Sequence, residues 1–161
     1  MGSKFPIKKK GHKNNKLKVV IVDENPTYLK VWEKVFRGMD NCSYCLTNDS
    51  NNTYKIAKDE KIDLLISEVV MDDIDGFRLA EMVHKKNPKA RIILTTTYDC
   101  NLKRFNLDNP HFHILHKPYH KIEDVIHFVM NILDRKDPRI EADEDSWSEN
   151  EEFPAVMEWK L

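Results

Sequence analysis

Short apolar runs alternate with longer amphipathic stretches through the middle of the chain. The short runs are LKVVIVDE, CSYCLT, DLLIS, ARIILTT and HFHIL. They favour strands buried on both faces, because such strands show no regular apolar and polar alternation. The stretches between them place apolar residues at helical spacing, as Leu29, Trp32 and Val35 do after the turn residues Asn25 and Pro26.

A strand followed by a helix recurs about five times. This repetition predicts an α/β fold, a doubly wound five-stranded parallel sheet with helices on both faces. The weakest helical periodicity lies in YDCNLKRFNLDNP, residues 98–110. We predict a basic flexible arm (1–16), a folded domain (17–135) and an acidic tail with an apolar C-terminal segment (136–161).

Charge is unevenly distributed along the 161 residues, although the net charge is only −1. The beginning of the chain carries lysines without acids: Lys4, Lys8, Lys9, Lys10, Lys13, Lys16 and Lys18. The tail is rich in Asp and Glu. Such blocks are usually solvated, although the arm offers a surface for nucleic acid, anionic lipid or an acidic tail. We find no membrane-spanning run or signal peptide, so we predict a cytoplasmic protein.

Three cysteines are too few and odd in number for a disulfide framework. Cys42 and Cys45 have the spacing of a zinc or redox motif, but they fall on a predicted strand. Residues three apart on a strand face opposite sides, which disfavours joint metal ligation. We therefore interpret both as ordinary core or surface residues.

Polar side chains stand where several predicted strands end. Asp23 and Glu24 end the first strand, Glu68 ends the third, Thr95 the fourth, and Lys117 follows the fifth. In a parallel sheet these positions share one edge, and clustered carboxylates there need a cation such as Mg²⁺. Acids, a metal ion, a lysine and a hydroxyl group are the requirements of phosphoryl transfer.

Four motifs carry a family resemblance: VDEN, SEVVMDDIDGF, LTT and HKPY. Over about residues 17–135 the chain resembles a response-regulator receiver domain, the type seen alone in the chemotaxis response regulator. The resemblance implies that Asp23, Glu24, Glu68 and the backbone carbonyl of Val70 bind Mg²⁺, weakly or not at all. It also implies that the Thr95 hydroxyl and Lys117 bind a phosphoryl group.

Glu68 occupies the phosphoacceptor position, where the family has Asp. The extra methylene moves the carboxylate by roughly 1 Å, and a misplacement of that size can cost on the order of 10²-fold in rate. We therefore do not expect phosphorylation of Glu68 by the usual route. Two interpretations remain: Glu68 mimics the phosphorylated state, or it forms an ion pair with Lys117 and the chemistry is lost.

Other positions also depart from the family pattern. Ile114 stands where the family commonly has Tyr or Phe, so the aromatic switch is absent. Asp72 and Asp73 replace the usual Pro and a frequent Gly. We interpret Asp72 as a solvated loop acid, with an alternative metal ligand or acceptor as the other interpretation. The segment before Pro110 is a poor helix in the family's signalling region.

These features predict a stand-alone atypical receiver, or pseudo-receiver, in two-component or chemotaxis-type signalling. It would act by protein–protein interaction, independently of phosphorylation at Glu68, and it would not be an enzyme. Its expected partners are a histidine kinase or a downstream target, with a homodimer as a further option. The alternative is a phosphorylatable single-domain response regulator that accepts phosphate from a histidine kinase.

Other classes are disfavoured. The residues after Arg135 are too few and too acidic for a DNA-binding domain. A flavodoxin-like enzyme would need a Gly-rich phosphate loop where VDENP stands. The segment Phe153–Leu161 carries apolar residues after an acidic linker, which suits a docking peptide.

Overall fold

The structure is a computed structural model that describes residues 8–10, 16–97 and 109–133. The chain divides into two units, Met1–Lys117 and Pro118–Leu161. Cys100, most of the weakly periodic segment and the acidic tail lie outside the described residues. The domain boundaries given above therefore stay predictions.

One six-stranded sheet lies in the first unit, in the order β1-β3-β2-β4-β5-β6. The strands are β1 (Lys8–Lys10), β2 (Leu17–Val22), β3 (Cys42–Thr47), β4 (Leu64–Glu68), β5 (Arg91–Thr96) and β6 (Phe112–His116). Strands β2 to β6 are parallel, which confirms the predicted five-stranded parallel sheet. Strand β1 is an addition within the predicted arm, and it pairs antiparallel to β3 with Lys8 opposite Leu46.

Helices follow the strands as the periodicity predicts. The first unit contains α1 (Pro26–Arg37), α2 (Ser50–Asp59) and α3 (Gly76–Lys86). Their N-caps are Asn25, Asp49 and Asp75, whose side chains accept hydrogen bonds from backbone N–H groups of the first turn. Helix α2 begins inside the polar stretch NDSNN, directly after its N-cap Asp49.

Two apolar layers cover opposite faces of the sheet. Helix α1 packs on β2 and β3, and its Phe36 ring lies 6.1 Å from the ring of Tyr44. Helices α2 and α3 pack on the other face, in a cluster that includes Cys45, Leu65 and Ile92. This alternation along β3 places the buried side chains of Cys42 and Cys45 on opposite faces of the sheet, so the two thiols do not form a disulfide with each other.

The second unit contains helix α4 (Ile122–Ile132). Apolar residues at helical spacing in and directly after this helix are buried: Ile122, Val125, Ile126, Val129 and Leu133. No helix within the described residues is long and apolar enough to cross a membrane.

Candidate functional site

The predicted polar residues of the first unit meet at the carboxyl edge of the sheet. Strand β2 ends just before Asp23, and β4 ends at Glu68. In the register between β4 and β5, Glu68 lies opposite Thr95, which is 1% exposed. Lys117 follows β6, and its N–H donates to the Thr96 carbonyl at 2.8 Å.

Lys117 is the centre of the site. Its ammonium Nζ donates to Asp23 Oδ2 and to Glu68 Oε1, the latter at 3.3 Å. The same Nζ lies 4.1 Å from the centroid of the Tyr28 ring. With a side chain only 1% exposed, the ammonium has three partners for its three N–H bonds.

The acids are satisfied by backbone groups as well as by the lysine. Asp23 Oδ1 accepts the Asn25 N–H at 2.9 Å, and Glu68 Oε2 accepts the Glu24 N–H at 3.4 Å. The Glu24 side chain turns toward the loop after β4, where its Oε1 accepts the Asp72 N–H at 2.5 Å. Both oxygens of Asp23 and both oxygens of Glu68 are therefore engaged.

Burial makes the negative charge at this edge costly. It raises the pKa of Asp23 to about 7, because desolvation outweighs the nearby Lys117 and the charge of Glu68 adds to it. Burial also raises the pKa of Glu24, which the hydrogen bond from Asp72 opposes. The pKa of the Tyr28 hydroxyl is raised by burial and by the same two acids, Asp23 and Glu68.

The carboxylates at this edge are suitable ligands for a divalent ion, but their oxygens already have other partners. Carboxylate oxygens suit Mg²⁺, yet those of Asp23 and Glu68 face Lys117 and backbone N–H groups, and Oε1 of Glu24 accepts the Asp72 N–H. In the ranges the structure describes, no group of three His, Cys, Asp or Glu is placed to hold a metal ion. Val70, with 59% of its surface exposed, lies in the adjacent loop. Its carbonyl as a metal ligand stays a prediction.

The backbone of Glu68 lies close to Gly76, at a distance that only a residue without a Cβ allows. A Cβ on Gly76 would lie 2.3 Å from the Glu68 carbonyl oxygen, closer than real Cβ contacts come, so a larger residue would force a shift there. The Gly76 N–H donates to the Val69 carbonyl at 2.9 Å. The Ser67 hydroxyl donates to the same Glu68 oxygen at 2.9 Å.

The loop between β4 and α3 is also tied to the start of α2. Asn51 donates its side-chain N–H to Asp73 Oδ2 at 2.8 Å, and the Ile74 N–H donates to the Ser50 hydroxyl at 3.1 Å. Asp72 and Asp73 are both exposed. Asp72 contributes its backbone N–H to the site through Glu24.

Ile114 is part of the apolar packing. It lies in the middle of β6, is half-buried, and packs against the α2 and α3 face of the sheet. Its aliphatic side chain provides packing where the resemblance would place a mobile ring.

Sequence reasoning missed Tyr28 as a member of the site. Tyr28 lies in the first turn of α1, shortly after Asp23, and its position is typical of an ordinary core residue of an amphipathic helix. The signal was the short connection between β2 and α1, which brings the first turn of the helix back over the strand ends. Ser50 and Asn51 were missed as well, because their contacts with Ile74 and Asp73 arise only when the start of α2 packs beside the loop after β4.

The sequence profile described as the response regulator receiver domain matches residues 19–129. The chain belongs to the response regulator receiver domain family. The two-component response regulator ORR26 of Oryza sativa subsp. japonica is 40% identical over 73 residues, 42% of this chain and 12% of that protein. The chain thus spans a small part of the length of this relative.

Solved receiver structures share the fold. A CheY-like response regulator receiver domain protein from Methanospirillum hungatei JF-1 matches with a TM-score of 0.62 and 21% identity, over 74% of this chain and 94% of that one. The receiver domain of sensor histidine kinase PA1611 from Pseudomonas aeruginosa PAO1 matches with a TM-score of 0.60 and 18% identity, over 74% and 98%. That structure has a magnesium ion coordinated in the active-site cleft.

Proposed function

We propose that this receiver domain is a pseudo-receiver. It acts through protein–protein interaction in two-component or chemotaxis-type signalling, independently of phosphorylation at Glu68. The observation that carries the proposal is the engagement of both Glu68 carboxylate oxygens, by Lys117 and by the Glu24 N–H. Receiver domains are signalling modules, and we assign no enzymatic activity to this one.

The geometry argues against Glu68 as a nucleophile. A phosphoacceptor must present an oxygen in line with the incoming group, and a displacement of about 1 Å costs on the order of 10²-fold in rate. Glu68 instead directs Oε1 to the ammonium that would otherwise pair with a phosphoryl group. The charge of Lys117 is therefore already shared between Asp23 and Glu68 before any phosphate arrives.

Lys117 also takes the place of a divalent cation in this proposal. Its ammonium sits between Asp23 and Glu68, so a metal ion would have to displace both contacts. The Pseudomonas receiver domain coordinates a magnesium ion in its active-site cleft. In this chain we expect Mg²⁺ to bind weakly or not at all. The ion pair fixes the site in one state, and that state is what a histidine kinase or downstream target would recognise in the cytoplasm.

The test is the intact mass after incubation with acetyl phosphate and Mg²⁺. We expect no phosphoryl gain in the native chain and a gain of one phosphoryl group in Glu68→Asp, which restores the family's acceptor. Glu68→Gln is the matched control, since it keeps the length of Glu68 and removes the charge. Circular dichroism of each variant establishes that it is folded.

A phosphoryl gain in the native chain would overturn the proposal in favour of a phosphorylatable single-domain regulator. Asp72 is the exposed carboxylate next to Glu24 and would be the first acceptor to examine. Loss of the gain in Asp72→Asn would assign it, and retention would return the role to Glu68. A Glu68→Asp variant that stays folded but unmodified would mean that the site lacks more than the acceptor.

A further inference from the structure

A cluster of exposed lysines lies at the C-terminal ends of α2 and α3, in the first unit. We call it the basic patch, and its members are Lys58, Lys61, Lys85, Lys86 and Lys89. All five are exposed. The patch plays no part in the proposal made above for Glu68.

Two hydrogen bonds join the halves of the basic patch. The ammonium of Lys86 donates to the Lys58 carbonyl. Next to it, the side-chain N–H of Asn87 donates to the Ile62 carbonyl at 3.1 Å. Lysines that are far apart in the sequence are thereby brought onto one surface.

Among the described residues, the nearby acids Asp59, Glu60 and Asp63 form no ion pair with the lysines of the basic patch. Glu60 Oε2 lies 3.0 Å from the ammonium of Lys18, and Asp63 Oδ2 accepts the Lys18 N–H at 2.8 Å. Asp59 is exposed at the end of α2. Within the described part of the chain, none of the five lysines forms an ion pair with an acid.

Helix electrostatics explain only part of this cluster. Lysines in the last turn of a helix offset the partial negative charge of its C-terminus, which accounts for Lys58, Lys85 and Lys86. Lys61 and Lys89 lie beyond the helix ends and add positive charge that no helix end requires. Like charges held close on a surface favour an anionic ligand.

The chain itself carries a matching segment. Residues 141–152 contain no lysine or arginine and hold the acids Glu141, Asp143, Glu144, Asp145, Glu149, Glu151 and Glu152. Because it is covalently attached, this segment meets the domain at an effective concentration of roughly millimolar. We infer that the acidic segment 141–152 docks on the basic patch of its own chain.

Zero-length carbodiimide cross-linking of the full chain tests this inference, because it joins a lysine only to a carboxylate in contact with it. Peptide mapping by mass spectrometry should find segment 141–152 linked to patch lysines about tenfold more often than to Lys30 and Lys121, since the tethered charges act together. About 1 M salt should abolish the preference, because the Debye length then falls to about 3 Å. The links should be intramolecular and should persist on dilution.

A variant chain gives the second arm of the test. Lys58→Gln, Lys61→Gln, Lys85→Gln and Lys89→Gln together remove most of the patch charge and keep Lys86, whose ammonium holds the Lys58 carbonyl. The four substituted residues can no longer be cross-linked, so the decisive readout is Lys86, the patch lysine that remains. If the patch charge holds segment 141–152, the links from Lys86 to this segment should fall about tenfold. The matched control changes Lys16, Lys30, Lys34 and Lys121 to Gln, and there the Lys86 links should remain.

Several outcomes would overturn the inference. Links spread evenly over all exposed lysines would mean that the segment has no docking surface, and links mainly to Lys4–Lys16 would assign it to the N-terminal arm. Links found only between two copies would replace docking within one chain by association. Finally, duplex DNA binding that the patch variant loses, without patch cross-links in the native chain, would assign the surface to a nucleic acid.

Discussion

Lysine has opposite surroundings in two regions of the first unit. At the carboxyl edge of the sheet, Lys117 is buried and contacts Asp23, Glu68 and the Tyr28 ring. In the basic patch, lysines are exposed and have no acidic partner within the described residues. The difference follows from solvation: a buried ammonium must be paired, whereas water stabilises an exposed one alone.

The comparison separates two uses of charge. Charges at the buried edge should dominate stability, because removing one partner leaves the others without solvent or counterion. Charges in the basic patch should contribute little to stability and be available for binding. Substitutions in each region can therefore test whether the two groups of charges differ in this way.

The largest effect is expected for Lys117→Met. It leaves Asp23 and Glu68 together without their cation, and the free energy of unfolding should fall by about 3–5 kcal/mol. Urea denaturation measures it, with Lys89→Met in the basic patch as the matched control, expected within about 0.5 kcal/mol of the native chain. Equal losses in the two variants would break the comparison.

The next effect is a pH dependence from Asp23. Its pKa is about 7 in the folded chain against 3.8 for the ordinary value, so between these values the folded state retains a proton that the unfolded state has released. The free energy of unfolding from this group should therefore decrease as the pH rises from about 4 to about 7.

The measurement is a series of urea denaturations across that range, on the native chain and on Asp23→Asn. Burial lowers the pKa of His113, which gives stability that rises with pH and opposes the Asp23 contribution. The difference between the two chains isolates Asp23, since His113 is common to both. A difference that does not change with pH would mean that Asp23 is already ionised at pH 4.

The smallest of these effects concerns Tyr28. Replacing Tyr28 by Leu removes the aromatic face above Lys117 and keeps an apolar side chain, so the interaction energy lost should be about 1–2 kcal/mol. A double-mutant cycle with Lys117→Met measures the coupling directly. Tyr28→Phe keeps the ring and should retain most of the coupling; a Phe variant as weak as Leu would assign the effect to the hydroxyl.

Much of the fold was predictable because local patterns and the sheet agree. Apolar runs and helical periodicity located β2 to β6 and α1 to α4, and parallel pairing required Asp23, Glu68 and Lys117 to meet at one edge. Strand β1 was not predicted, since a run of lysines has no strand preference of its own and pairs only because β3 offers a free edge.

The finer arrangement of the site depends on side-chain directions that a sequence does not specify. Glu24 was predicted beside Asp23 as a metal ligand, but its carboxylate turns to the Asp72 N–H. The pairing of Glu68 with Lys117 was one of two interpretations that the sequence left open. The basic patch was not predicted either, because Lys58 and Lys86 are adjacent only after α2 and α3 pack.

Strand β1 has a consequence for the solubility of shortened chains. A chain that began at Lys16 would leave this edge of β3 uncovered, because it would lack the backbone pairing that β1 gives to Tyr44, Cys45 and Leu46. Such an edge is a template for edge-to-edge aggregation, which lysine-bearing edge strands normally discourage. We therefore expect a chain shortened in this way to aggregate more readily than the full chain.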